Sequence, residues 1–185
     1  MSSPILRIAG RLVVLPCAAL SMSACSVLTP IPALEHVKAT GTATSVALAY
    51  APGSASNTVH HGAAPVSALC IEYNRTAQLP DLVPAMQLAL QEQGVRSRVY
   101  EPGAGLNECR HWLRYTASIQ WGIPPLASDY RAYLSSANFS LHTASGELIA
   151  TTSYESEGLF GTSRWAPTHR KLRSAMKAVI TGFES

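Results

Sequence analysis

The chain has 185 residues, of which 47% are hydrophobic and 14% charged, and its formal net charge is +3 at pH 7. That length suits one domain plus a tether. The basic residues are not clustered, which excludes a nucleic-acid footprint and leaves no nucleic-acid partner to expect.

Residues 1–24 read as a secretory signal peptide. Arg7 and Arg11 are the only charges before Glu35, an apolar run fills 12–20, and small residues fill 21–24. An apolar core of about nine residues is too short to span a hydrocarbon layer, which takes roughly 20. Met22-Ser23-Ala24-Cys25 resembles the bacterial lipobox, so Cys25 is the expected lipidation site and the first residue of the mature protein. The alternative is an ordinary cleaved signal with an incidental cysteine. Several acyl chains such as palmitate anchor a protein stably without a membrane helix, so the membrane itself is an expected partner. Ser26, rather than an aspartate, follows the cysteine. This favours the outer membrane, with the domain facing the periplasm.

Cleavage removes two arginines and leaves 12 basic residues against 11 acidic ones. It also leaves Cys70 and Cys109 beside Cys25. In an oxidising compartment an even pair is most simply a disulfide, with two buried free thiols as the alternative. No metal or other cofactor is expected. His60-His61 offers two ligands without a third, and the cysteines lack partners at ligand spacing.

Residues 25–43 hold Pro30, Pro32 and Gly41 with little periodicity and read as the lipidated N-terminus and tether. A single α+β domain is expected over 44–185. TSVALAY (44–50) alternates as a strand, and the turn formers of 51–65 predict an exposed loop. VSALCIEY (66–73) predicts a central strand. A helix follows over 80–94, with Asp81 to cap it, Pro84 in its first turn and Gly94 at its end. Leu82, Met86, Ala89 and Leu90 form its buried stripe. VRSRVY (95–100) returns as a strand, which makes a βαβ unit. Residues 109–122, 131–143 and 147–156 alternate as a three-stranded meander. Thr168 is the expected cap of a last amphipathic helix, whose apolar stripe is Leu172, Ala175, Met176, Val179, Ile180 and Phe183. The predicted architecture is a two-layer mixed sheet with two helices packed on it, in the order β-β-α-β-β-β-β-α.

CIEYN (70–74), LQEQG (90–94), VYEPG (99–103), Cys109, YTASIQW (115–121) and the hairpin GELIATTSYES (146–156) resemble a family of small uncharacterised proteobacterial lipoproteins. The likeness runs over roughly residues 66–183. It implies the same anchoring and the same pair of cysteines, and some relatives are labelled as cell-division proteins. It carries over no catalytic residue, and GLFGTSRW (158–165) departs from the pattern.

No catalytic set can be nominated. Glu72, Asp129, Glu155 and Glu157 are scattered, and no serine sits in a nucleophile elbow. GLFGTS offers backbone N–H groups to an anion ahead of a helix but lacks the lysine of a P-loop, and an ordinary loop is the plainer reading. Two readings follow. The first is a lipid-anchored binding or assembly module of the cell envelope, in biogenesis or cell division. It would meet an envelope protein through a contact surface of Trp112, Trp121, Trp165 and loop tyrosines. The second is an envelope hydrolase with a site near Glu72, where Asn74 and Arg75 end the same strand.

Overall fold

The computed structural model describes residues 43–62, 64–105, 107–156 and 162–184. The signal peptide, Cys25, nearly all of the tether and residues 157–161 of the loop before the last helix lie outside the described residues.

The described elements are α1 (43–49), β1 (Ala55–His60), β2 (Ala68–Glu72), α2 (Leu82–Glu92), β3 (Arg96–Tyr100), β4 (His111–Gly122), β5 (Arg131–Thr143), β6 (Leu148–Glu155) and α3 (Thr168–Thr181). The fold is α+β, a single mixed sheet in the order β1-β6-β5-β4-β2-β3. β2, α2 and β3 form the expected βαβ unit with parallel strands, and β2 also runs parallel to β4. β4, β5 and β6 form the antiparallel meander.

Both long helices cover one face of the sheet. Leu69, Ile71, Leu113, Phe139, Leu141 and Tyr154 point to that side and meet Leu82, Met86 and Leu90 of α2 and Leu172, Met176 and Val179 of α3. Full burial of each such side chain is worth about 1.5–3 kcal/mol, so this layer dominates the stability of the domain. The opposite face carries Arg114, Thr116, Asn138, Ser140, Thr151 and Ser153 around a shallow depression.

The start of the domain differs from expectation. Residues 43–49 are helical, not a strand, and the first strand falls at Ala55–His60, inside the segment expected to be a loop. Seven residues hold too few periods to separate the two states, and Ala47-Leu48-Ala49 favours a helix intrinsically. β1 is an edge strand of mostly polar sequence. Its antiparallel pairing with β6 defines it, through Ala55↔Tyr154 to His60↔Ala150, with a bulge where Asn57 takes φ 53°.

The helix ends differ as well. Asp81 occupies the N-cap of α2 but its side chain does not cap it. Pro167, not Thr168, precedes α3, and its carbonyl accepts from Arg170 N and Lys171 N. Gly182 closes α3 at φ 79°, the left-handed conformation that favours glycine.

Candidate functional site

Glu72, Asn74 and Arg75 at the end of β2 are all engaged in holding strands together. The Glu72 carboxylate accepts from Arg114 Nε at 2.9 Å. Arg75 pairs with Glu101 at 2.9 Å in full view of solvent. Asn74 stitches β2 to β4: its amide nitrogen donates to the Tyr115 carbonyl at 2.9 Å, and its backbone N–H donates to Tyr115 Oη at 3.1 Å. Burial pushes the Tyr115 phenol above its ordinary value, so the hydroxyl stays protonated there. Among the described residues Arg114 is the one side-chain partner of Glu72.

Cys70 and Cys109 form a disulfide, with Cα atoms 5.9 Å apart. It ties the central strand β2 to the segment entering β4. In the chain-entropy model a loop of this size contributes about 4 kcal/mol. Trp112, the register partner of Cys70, is buried, its ring 5.8 Å from that of Tyr100. The loop over Tyr100 comes so near that a Cβ on Gly105 would lie 2.6 Å from the ring.

The three tryptophans therefore do not form one surface. Trp112 is an interior residue and drops out of the expected contact set. Trp165 is half-buried, packed 4.9 Å from the Tyr133 ring and against Gly122. Trp121 alone is broadly exposed, at 69%. Its companions include Ile123 and Leu126, which sequence reasoning missed, and one of the loop tyrosines it expected. The β4–β5 connection carries Ile123, Leu126 and Tyr130, exposed by 46%, 98% and 69%. Leu126 is held at φ 65°, a conformation that costs a non-glycine residue roughly 1–2 kcal/mol. The Pro124-Pro125 pair marked this turn but gave no sign that apolar side chains would be left outside.

This tip lies at the same end of the molecule as the incoming chain. Ser163 N donates to Leu48 O at 2.9 Å and Trp165 N to Ala49 O at 2.8 Å, which pins α1 to the segment before α3. That segment is held from below by Lys171, only 1% exposed. Lys171 Nζ donates to Leu134 O at 3.0 Å and to Arg164 O at 2.7 Å. Burial pushes its pKa down to about 8, opposed by the nearby Asp81 carboxylate and assisted by the Arg164 cation. Lys171 is not in the apolar stripe expected for α3, and no periodicity marks a lysine that is buried by its backbone acceptors. Beside it, Tyr154 is fully buried, bonds Ser163 Oγ at 3.0 Å, and has its pKa raised to about 12 by burial.

No protein-family model and no curated protein sequence matches the chain. Among solved structures it is similar to the PelC dodecamer from Paraburkholderia phytofirmans, at TM-score 0.41 and 16% identity, over 65% of this chain and 97% of that one. A point variant of the same PelC dodecamer gives TM-score 0.41 and 13% identity, over 64% of this chain and 96% of that one.

Proposed function

We propose that this protein is a lipid-anchored binding or assembly module of the cell envelope, held by Cys25 to the outer membrane and facing the periplasm. The observation that carries the reading is the exposed tip of the β4–β5 hairpin. Four large apolar residues, Trp121, Ile123, Leu126 and Tyr130, stand in solvent within ten residues. Aromatic anchors of this kind dominate the energy of protein interfaces, and exposed apolar groups on a small domain mark contact sites. The partner is an envelope protein with an apolar recess for the tip, and its class fits the cell-envelope role suggested by the resembled lipoprotein family.

The tether suits that role. The 18 residues from Cys25 to the start of α1 extend at most about 60 Å, enough to place the tip well above a bilayer surface. No helix among the described residues is long and apolar enough to cross a membrane. The Glu72 carboxylate, committed to Arg114, lends no support to a hydrolase.

A photo-crosslinking residue at position 126 tests the reading in intact envelopes. The expected result is a protein adduct of fixed mass that is lost when Trp121→Ser is added. Adducts to lipid alone, or none, overturn it. Anchoring is tested by Cys25→Ser, which should leave the chain unlipidated and uncleaved by the lipoprotein peptidase.

A further inference from the structure

Between the start of α3, the end of α1 and the base of the β4–β5 hairpin lies a cavity of about 210 Å³. Three cationic side chains line it: Arg131 from β5, Arg164 from the segment before α3, and Lys171 from α3. Among the described residues Asp81 is the one carboxylate in its wall. The guanidinium of Arg164 sits 5.6 Å from the centroid of the Tyr133 ring, and Lys171 Nζ sits 5.5 Å from the same centroid. Two cations thus share one aromatic ring, and neither has a carboxylate within ion-pair distance among the described residues.

The hydrogen-bond count leaves donors over. Arg164 Nε is buried and has no hydrogen-bond partner among the described residues. Lys171 gives two of its three protons to carbonyls, and with a pKa of about 8 it remains a cation at neutral pH. A buried charged donor without an acceptor is rare in folded proteins and points to a missing ion or ligand. α3 also begins at this wall with Pro167 and Thr168 and has no side-chain cap, so the positive end of its dipole faces the same space.

We infer that this cavity binds a phosphate-class oxyanion, held by Arg131, Arg164 and Lys171 against the Tyr133 and Trp165 rings. Three cations against one carboxylate among the described residues leave a surplus of positive charge that attracts such a group, and guanidinium forks match its oxygens. The volume has room for a tetrahedral oxyanion, either a free anion or the phosphate of a lipid headgroup. The inference stands apart from the assembly reading, because the hairpin tip and the cavity use different residues.

The test uses the full protein purified from membranes in a non-ionic detergent. Inorganic phosphate is titrated while the indole N–H of Trp165 is followed by NMR, against chloride at matched ionic strength. The expected result is a saturable shift with phosphate, absent with chloride and weakened at least tenfold in Arg164→Gln and in Arg131→Gln. Both variants should keep the wild-type fold by circular dichroism, and Arg164→Lys should restore part of the binding. A shift common to chloride, or one unaltered in both glutamine variants, overturns the site. Repeating the titration in phosphatidylglycerol vesicles identifies the source. A tenfold weaker response than in detergent means a headgroup already occupies the cavity, and an unchanged response means the site takes the free anion.

Discussion

The Lys171 ammonium donates 2.7 Å to the backbone carbonyl of Arg164, a bond that closes the far end of the domain over a buried charge. With its second bond to Leu134 O, it joins α3, β5 and the segment that carries Trp165. A neutral amine retains two N–H donors, so both bonds survive deprotonation. The positive charge adds a desolvation cost that outweighs the attraction of the Asp81 carboxylate.

That cost sets a pH dependence. The folded pKa of Lys171, about 8, lies below its ordinary value of 10.5, so between those two values the unfolded chain binds more protons and stability rises with pH. The gain has an upper bound of about 3 kcal/mol. Tyr154 acts oppositely: its phenol is raised from 10.0 to about 12, so stability falls once pH passes 10. Denaturant melts should show these groups giving a maximum near pH 10. In Lys171→Met the rise above pH 8 should vanish while the fall above pH 10 remains.

Gly53 should tolerate no side chain. A Cβ there would overlap the Lys171 carbonyl and the buried Tyr154 ring, and Gly53 is already fixed by Ser174 Oγ donating to its carbonyl at 2.9 Å. Gly53→Ala should destabilise by about 2–3 kcal/mol. In a domain of this size that is a fall in Tm of roughly 5–10 °C, measurable by calorimetry.

Removing the disulfide should cost about 4 kcal/mol. Cys70→Ala with Cys109→Ala should lower the denaturation midpoint accordingly. Non-reducing mass spectrometry of the wild type should show the Cys70–Cys109 link. Two free thiols there would contradict the structure.

Leu126 should separate stability from contact. Leu126→Asn keeps the left-handed conformation at lower strain, so stability should hold or rise by up to about 1 kcal/mol in denaturant melts. Crosslinking from a neighbouring tip position should fall at least tenfold, because the most exposed apolar side chain is gone.

Most of the sheet and both long helices were legible in the sequence. β4, β5 and β6 alternate because one face is packed and the other solvated. The stripes of α2 and α3 recur at helical spacing for the same reason, and Leu172, Ala175, Met176 and Val179 are all fully buried. The stripe overshot at its end, where Phe183 lies beyond the left-handed Gly182 and is 73% exposed. The site was less legible. Trp112 reads on any scale as a possible surface anchor, and only the register Cys70↔Trp112 together with Tyr100 shows it to be interior.

By itself the sequence determined most of the periodic elements, and it pointed to the Cys70–Cys109 pair that the structure shows as a disulfide. Each of these depends on residues near one another or on simple elimination. Only the tertiary structure decided that β1 is a strand, that Lys171 is buried and that Ile123, Leu126 and Tyr130 stay outside. An edge strand is defined by the partner that pairs with it, and a buried lysine by acceptors 7 and 37 residues away in the chain. Exposure of a turn depends on whether anything packs over it. None of these quantities is written in local periodicity, because each is a property of distant segments brought together.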